Sequence, residues 1–181
     1  MNPALTLPVS ARDHAQGPES APLTMVEYGD YQCPYCGAAF PVVKRIQKRL
    51  GDDLRFVFRN FPLTRAHPYA EAAAEAAEAA GLLGKFWPMH DVIFKNQAAL
   101  TPESLLMWAR RLGLEDKDLA ATFGRPEILR KIKEDRMSGL RSGVNGTPTF
   151  YINGARYEGP YNDEYLLDAL GAALREARAP R

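Results

Sequence analysis

Leu23-Thr-Met-Val-Glu-Tyr-Gly-Asp-Tyr-Gln-Cys-Pro-Tyr-Cys36 decides how the rest of the chain is read. Leu23 to Tyr28 reads as a buried strand, Gly29-Asp30 breaks it, and a helix is predicted from about Cys33 to Leu50. Val42, Val43, Ile46 and Leu50 share one face of that helix, leaving the basic run around Lys44, Arg45, Lys48 and Arg49 on the wet side. Pro41 inside the helix predicts a kink. Leu54 to Asn60 is rich in aromatic residues and alternates at its start, so it is read as a second strand that Phe61-Pro62 ends. Strand, helix, strand is the minimal parallel unit.

Downstream the chain changes character. Helices are predicted over 71–80, 85–97, 102–112, 117–123 and 126–140, punctuated by Gly81, Gly84, Gly113 and Gly124. Thr149-Phe-Tyr-Ile-Asn-Gly154 followed by Ala155-Arg-Tyr-Glu-Gly159 reads as a hairpin closed by an Asn-Gly turn. A last helix spans about 163–178, where Leu166, Leu170 and Leu174 form one apolar stripe. Upstream, residues 1–22 hold Pro3, Pro8, Gly17, Pro18 and Pro22 without a sustained period and read as a tail, so the fold is expected to begin near Leu23. The order is βαβ, a helical block, then ββα, which makes the chain an α/β protein.

A chain of 181 residues buries an adequate core without disulfide staples. It has 2 cysteines, and a bridge between Cys33 and Cys36 closes too small a loop to constrain the unfolded chain much. That points to chemistry. Lysine and arginine number 23 against 22 acidic residues, so no overall field favours nucleic acid or an acidic membrane surface. Met1 to Leu23 has no early positive charge followed by an apolar stretch, so the expectation is a cytoplasmic protein, or a periplasmic one if a leader has been removed.

On a helix beginning at Cys33, the side chain of Cys36 lies on the same face, within reach of a disulfide. Cys33 falls at the helix N-terminus, where free N–H groups and the dipole stabilise a thiolate, and is the expected nucleophile. Pro34 suits the first helical position because its missing N–H costs nothing there, Tyr35 follows, and Cys36 is the expected resolving thiol. A structural zinc site would need two further ligands, and His14, His67 and His90 show no paired spacing; each is read as a surface or packing residue. No metal and no cofactor is expected. Glu27 sits in an apolar strand six residues before Cys33. It is either a strand-end carboxylate facing water or a buried acid with a raised pKa that exchanges a proton with Cys36.

A second constellation is Gly143-Val-Asn-Gly-Thr-Pro-Thr-Phe-Tyr-Ile152, where a glycine-containing loop meets a proline at the start of a strand. With Val26 to Cys36 and Lys85-Phe-Trp-Pro-Met-His-Asp91, it makes the chain resemble the bacterial DsbA-like oxidoreductases of the thioredoxin superfamily. The resemblance implies a thioredoxin fold whose core, 23–61 and 139–181, is interrupted by a helical insertion, 62–138. It also implies a catalytic disulfide at Cys33 and Cys36, a buried acid at Glu27, and a cis proline at Pro148 with Thr147 and Pro148 meeting an extended substrate.

The implied activity is thiol:disulfide exchange with protein or peptide thiols and disulfides, served by an unidentified redox partner. Pro34-Tyr35 resembles the dipeptide of glutaredoxins, whereas strongly oxidising DsbA proteins carry Pro-His, so a glutathione-dependent reductase is the alternative within enzymes. An extended-peptide-binding module or a metal chaperone using both thiolates is the alternative outside that class. Phe86, Trp87, Met89 and Phe94 in the helical block are candidate substrate contacts, although aromatic residues at helical spacing usually build core.

Overall fold

The computed structural model describes residues 4–179, with Ala120 described by its backbone alone. Five strands form one sheet: β1 (His14–Gln16), β2 (Leu23–Gly29), β3 (Leu54–Asn60), β4 (Thr149–Ile152) and β5 (Ala155–Arg156), in the order β1-β3-β2-β4-β5. β2 and β3 are parallel, joined by helix α1 (Pro34–Leu50); the other pairings are antiparallel. Between β3 and β4 come α2 (Ala70–Leu82), α3 (Phe86–Lys95), α4 (Pro102–Arg111), α5 (Asp116–Thr122) and α6 (Pro126–Arg141). The chain closes with α7 (Asp163–Arg178), whose first turn is capped by the Asn162 carboxamide accepting from the Tyr165 N–H at 3.1 Å. This is a thioredoxin fold carrying a helical insertion, the α/β class expected.

Alternation along the strands divides the sheet's two faces. Leu23, Met25, Phe56, Phe58, Phe150 and Ile152 point to one face, where α1, α7 and the insertion form the larger core. Val26, Tyr28, Val57 and Tyr151 point to the other, covered by α6 and by the N-terminal segment. Ile46 of α1 is fully buried on the first face, and burying a side chain of that size contributes about 1.5–3 kcal/mol. α2 is alanine-rich because it is enclosed: Ala73, Ala74, Ala76, Ala77, Ala79 and Ala80 are all buried.

Several expectations need adjustment. Residues 1–22 are more than a tail. His14–Gln16 pairs with Gln16 opposite Phe56 and His14 opposite Phe58, and Ala4 bridges Ala155 at the opposite edge of the sheet. Between these points the segment crosses the second face. There Arg59, fully buried, places all five N–H donors: on both oxygens of Asp13, on the carbonyls of Leu7 and Pro8, and on the Tyr28 hydroxyl, at 2.8–3.1 Å. α6 runs unbroken past residue 138 and lays Ser138 on Tyr28, hydroxyl to hydroxyl at 2.7 Å. Gly139 permits that approach, since a Cβ there would sit 2.8 Å from the Phe61 ring. The hairpin turn is present, with Asn153 and Gly154 both at positive φ, but β5 stops at Arg156. α1 continues through Pro41. Among the described residues no helix is long and apolar enough to cross a membrane.

Candidate active site

Cys33 is the residue immediately before α1, in extended conformation with φ −68° and ψ 122°, and Pro34 opens the helix. Its sulfur therefore faces N–H groups that have no partner inside the helix. Both cysteines are free thiols, and they differ in depth: Cys33 is 3% exposed and Cys36 is wholly enclosed. Tyr35, 65% exposed, stands beside them on the surface. The Thr147–Pro148 peptide bond is cis, and the Cys33 thiol donates to the Thr147 carbonyl at 3.3 Å. Cys33, Cys36, Thr147 and Pro148, far apart in sequence, thus meet at one end of the sheet.

The two thiols have opposite electrostatics. The Cys33 pKa is brought down to about 5, first by the hydrogen bond from Cys36, which outweighs the opposing effect of burial. The Thr147 hydroxyl and the backbone N–H groups of Cys36 and Tyr35 add to it. That hydroxyl has no partner in the dithiol arrangement, which leaves it free to donate once Cys33 ionises. Burial pushes the Cys36 thiol well up, and the charges of Glu27 and Cys33 push it further. Near neutral pH one sulfur is a thiolate and its neighbour a thiol.

Glu27 lies in β2 at 3% exposure on the face that holds α1, which removes the reading of a carboxylate facing water. Burial, and after it the charge on Cys33, raises its pKa to about 8. No ion pair or hydrogen bond to its carboxyl is present among the described residues, so at neutral pH it is largely a protonated acid.

Asp30 is a residue that sequence reasoning passed over. Its Oδ1 accepts from the N–H groups of Gln32 at 2.7 Å and Cys33 at 3.2 Å; its Oδ2 accepts from the Leu63 N–H and pairs with His67 Nδ1, both at 2.8 Å. It ties the turn before the nucleophile to the segment that enters the insertion. An aspartate three residues ahead of the residue that precedes a helix is a signature of such turns and was available as a signal. Gln97 also reaches the turn, donating from Nε2 to the carbonyls of Tyr31 and Cys33.

The histidines separate by role. His90 is enclosed among Tyr31, Phe58, Phe86, Trp87 and Phe94, with Nδ1 3.1 Å from the Tyr31 hydroxyl, and burial pushes its pKa well down. His14 stacks on Phe86 and pairs with Glu78 at 2.8 Å. Phe86, Met89 and Phe94 are buried in the core and Trp87 packs against it, which corrects their candidacy as substrate contacts. Among the described residues no group of three or more histidine, cysteine, aspartate or glutamate side chains is arranged to hold a metal.

A family profile described as thioredoxin matches residues 10–172. The chain belongs to the thioredoxin family. Its fold is the DsbA-like form, similar to BdbD from Bacillus subtilis with a TM-score of 0.83 and 22% identity, covering 97% of this chain and 100% of that one. A thioredoxin-like oxidoreductase from Silicibacter pomeroyi is 27% identical with a TM-score of 0.76, over 91% of this chain and 93% of that one. Among curated proteins, the chain is 46% identical over 175 residues to a sodium/proton antiporter, NhaA 1, of Salinispora arenicola. That match covers 96% of this chain and 27% of the antiporter, so the chain spans about a quarter of the length of the protein that carries the name.

Proposed function

We propose that the chain is a thiol:disulfide oxidoreductase that exchanges disulfides with protein or peptide substrates through Cys33 and Cys36. The observation that carries the reading is the asymmetric dithiol: one sulfur held as a thiolate at a helix start, the other buried as a thiol within the field of an uncompensated acid. In the oxidising direction a substrate thiolate attacks Cys33 Sγ of the Cys33–Cys36 disulfide. The S–S bond breaks, Cys36 leaves with the electron pair and takes a proton that Glu27 supplies, and a mixed disulfide remains on Cys33. A second substrate thiolate then attacks the substrate sulfur of that bond and Cys33 leaves as a thiolate. The substrate is oxidised by two electrons and the cysteine pair reduced by two.

A low pKa makes Cys33 a good leaving group and stabilises the reduced form, which favours donation of disulfides. Thr147 and Pro148 border the nucleophile and offer backbone to an extended substrate, as in strand addition. A disulfide donor works in an oxidising compartment, so the direction of exchange and the place of work are one proposal, set against the cytoplasmic expectation.

Equilibration with glutathione buffers, counting free thiols, tests it. A potential near roughly −120 mV makes the protein a disulfide donor; one near roughly −270 mV reverses the direction and restores the cytoplasmic reading. Cys33→Ser abolishes exchange, and Cys36→Ser accumulates a mixed disulfide on Cys33 that mass spectrometry detects. Full activity in Cys33→Ser overturns the scheme.

A further inference from the structure

Gly37 stands inside α1, one residue after the buried cysteine, in an ordinary helical conformation that asks for no glycine. A glycine in a helix interior costs roughly 0.5–1 kcal/mol relative to alanine, so its presence needs a reason in space. A Cβ there would meet Gln97 Oε1 at 2.3 Å and Cδ at 2.9 Å. Gln97 belongs to a single 3-10 turn, Gln97–Ala99, between α3 and α4 of the insertion. Its Nε2 donates to the Tyr31 carbonyl and to the Cys33 carbonyl, each at 2.9 Å. The Cys33 carbonyl also accepts the first helical bond, from the Gly37 N–H at 3.0 Å.

We infer that Gln97 is a positioning residue for the nucleophile: its carboxamide clasps both ends of the Tyr31–Cys33 turn across the bare surface of Gly37, so that the helical insertion holds Cys33 against its hydrogen-bond donors. The carbonyl of Cys33 and the N–H groups of Tyr35 and Cys36 belong to one stretch of backbone. Fixing the carbonyl fixes the direction in which those N–H groups point at Cys33 Sγ. The insertion supplies no reacting atom; through Gln97 it acts on the aim of the groups that stabilise the thiolate. This inference deepens the proposed function and rests on it for its purpose, although the clasp itself is read without it.

The experiment measures the pH profile of Cys33 alkylation, which needs no disulfide exchange, alongside the equilibrium with glutathione. In Gln97→Met, which keeps the volume and removes both donors, the alkylation midpoint rises by about one pH unit. The equilibrium shifts about tenfold toward the disulfide, about 30 mV to the reducing side. Gly37→Ala reaches the same clasp from the helix side and produces the same shift. In a Gln97→Ala background, Gly37→Ala adds no further shift and raises Tm, because the helix gains a better former and nothing is left to collide with it. A wild-type midpoint and potential in Gln97→Met, or additive shifts from the two sites, overturn the inference. A wild-type protein that titrates near 5 yet exchanges no disulfides overturns the functional reading and leaves the clasp standing.

Discussion

Two faces of one sheet each bury a charge-bearing side chain, and they treat it in opposite ways. On the face beneath the N-terminal arm, residues 4–16, Arg59 is fully enclosed with every donor satisfied, and Asp13 answers its charge. Burial works against both ions, but the pairing wins: the Arg59 pKa stands above its usual value and that of Asp13 below. On the face beneath α1, Glu27 is as deeply buried and has no such partner, and its pKa rises to about 8. A paired buried charge holds the fold and is silent in chemistry. An unpaired one gives up its charge at neutral pH and becomes a proton donor beside the thiols.

The largest effect expected of this contrast is on stability. Arg59→Met leaves Asp13 without its charge partner and the Leu7 and Pro8 carbonyls without their donor, and frees the N-terminal segment, with an expected loss of about 3–5 kcal/mol in urea unfolding. The Cys33 alkylation midpoint stays near about 5, and a moved midpoint would show that the two faces are coupled.

Next comes the dependence on pH. Glu27 raises its pKa on folding from 4.5 to about 8, so its stabilising contribution is complete below pH 4.5 and is lost as pH rises to about 8. The difference is on the order of 5 kcal/mol. Cys33 runs the other way: with its pKa lowered from 9.0 to about 5, it contributes fully above pH 9 and loses that contribution as pH falls to about 5. The disulfide form has only the first contribution, and of that the part due to burial, since no charge stands on Cys33. Its stability falls as pH rises while that of the dithiol form stays nearly level, and paired urea curves across this range measure the widening gap.

Smaller still, Glu27→Gln lowers exchange about a hundredfold near neutral pH and erases the rate inflection near about 8, with no loss of stability in alkali. A sharp loss of stability there would mean that Glu27 is paired after all. Smallest is Thr6→Val. It removes the contact between the Thr6 and Ser142 hydroxyls at 3.0 Å, should cost about 1 kcal/mol, and leaves the thiol titration untouched.

How much of this was legible in the sequence follows from the range of the forces. The βαβ unit, the hairpin and the helices of the insertion are local patterns, and Cys33 and Cys36 declare themselves by spacing. β1 does not: His14-Ala-Gln16 is three residues without hydrophobic period, held by pairing with a strand some forty residues on. Hairpin periodicity overreached at β5: the Tyr157 N–H makes a last bond to the Phe150 carbonyl at 2.9 Å, its hydroxyl turns to the Pro160 carbonyl at 2.7 Å, and the ladder goes no further. Gln97 was missed because its partners are backbone atoms, which leave no mark of their own, whereas Asp30 left a turn signature that was read only as a strand break. What the sequence did carry was an indirect trace, a glycine in the helix at position 37 where alanine would serve better.

The N-terminal arm has a consequence for the order of events during synthesis. Ala4 bridges Ala155, the Leu5 N–H donates to the Gly154 carbonyl at 2.8 Å, and Thr6 meets Ser142 at 3.0 Å. Residues 4–6 therefore dock on partners made about 140–150 residues later, roughly seven to thirty seconds at synthesis rates of about 5–20 residues per second. β2, α1 and β3 can associate meanwhile, but the sheet face around Tyr28 and Val57 lacks its full cover until the hairpin has been made. Residues 4–6, made long before their partners, are among the last pieces of this fold to find their place.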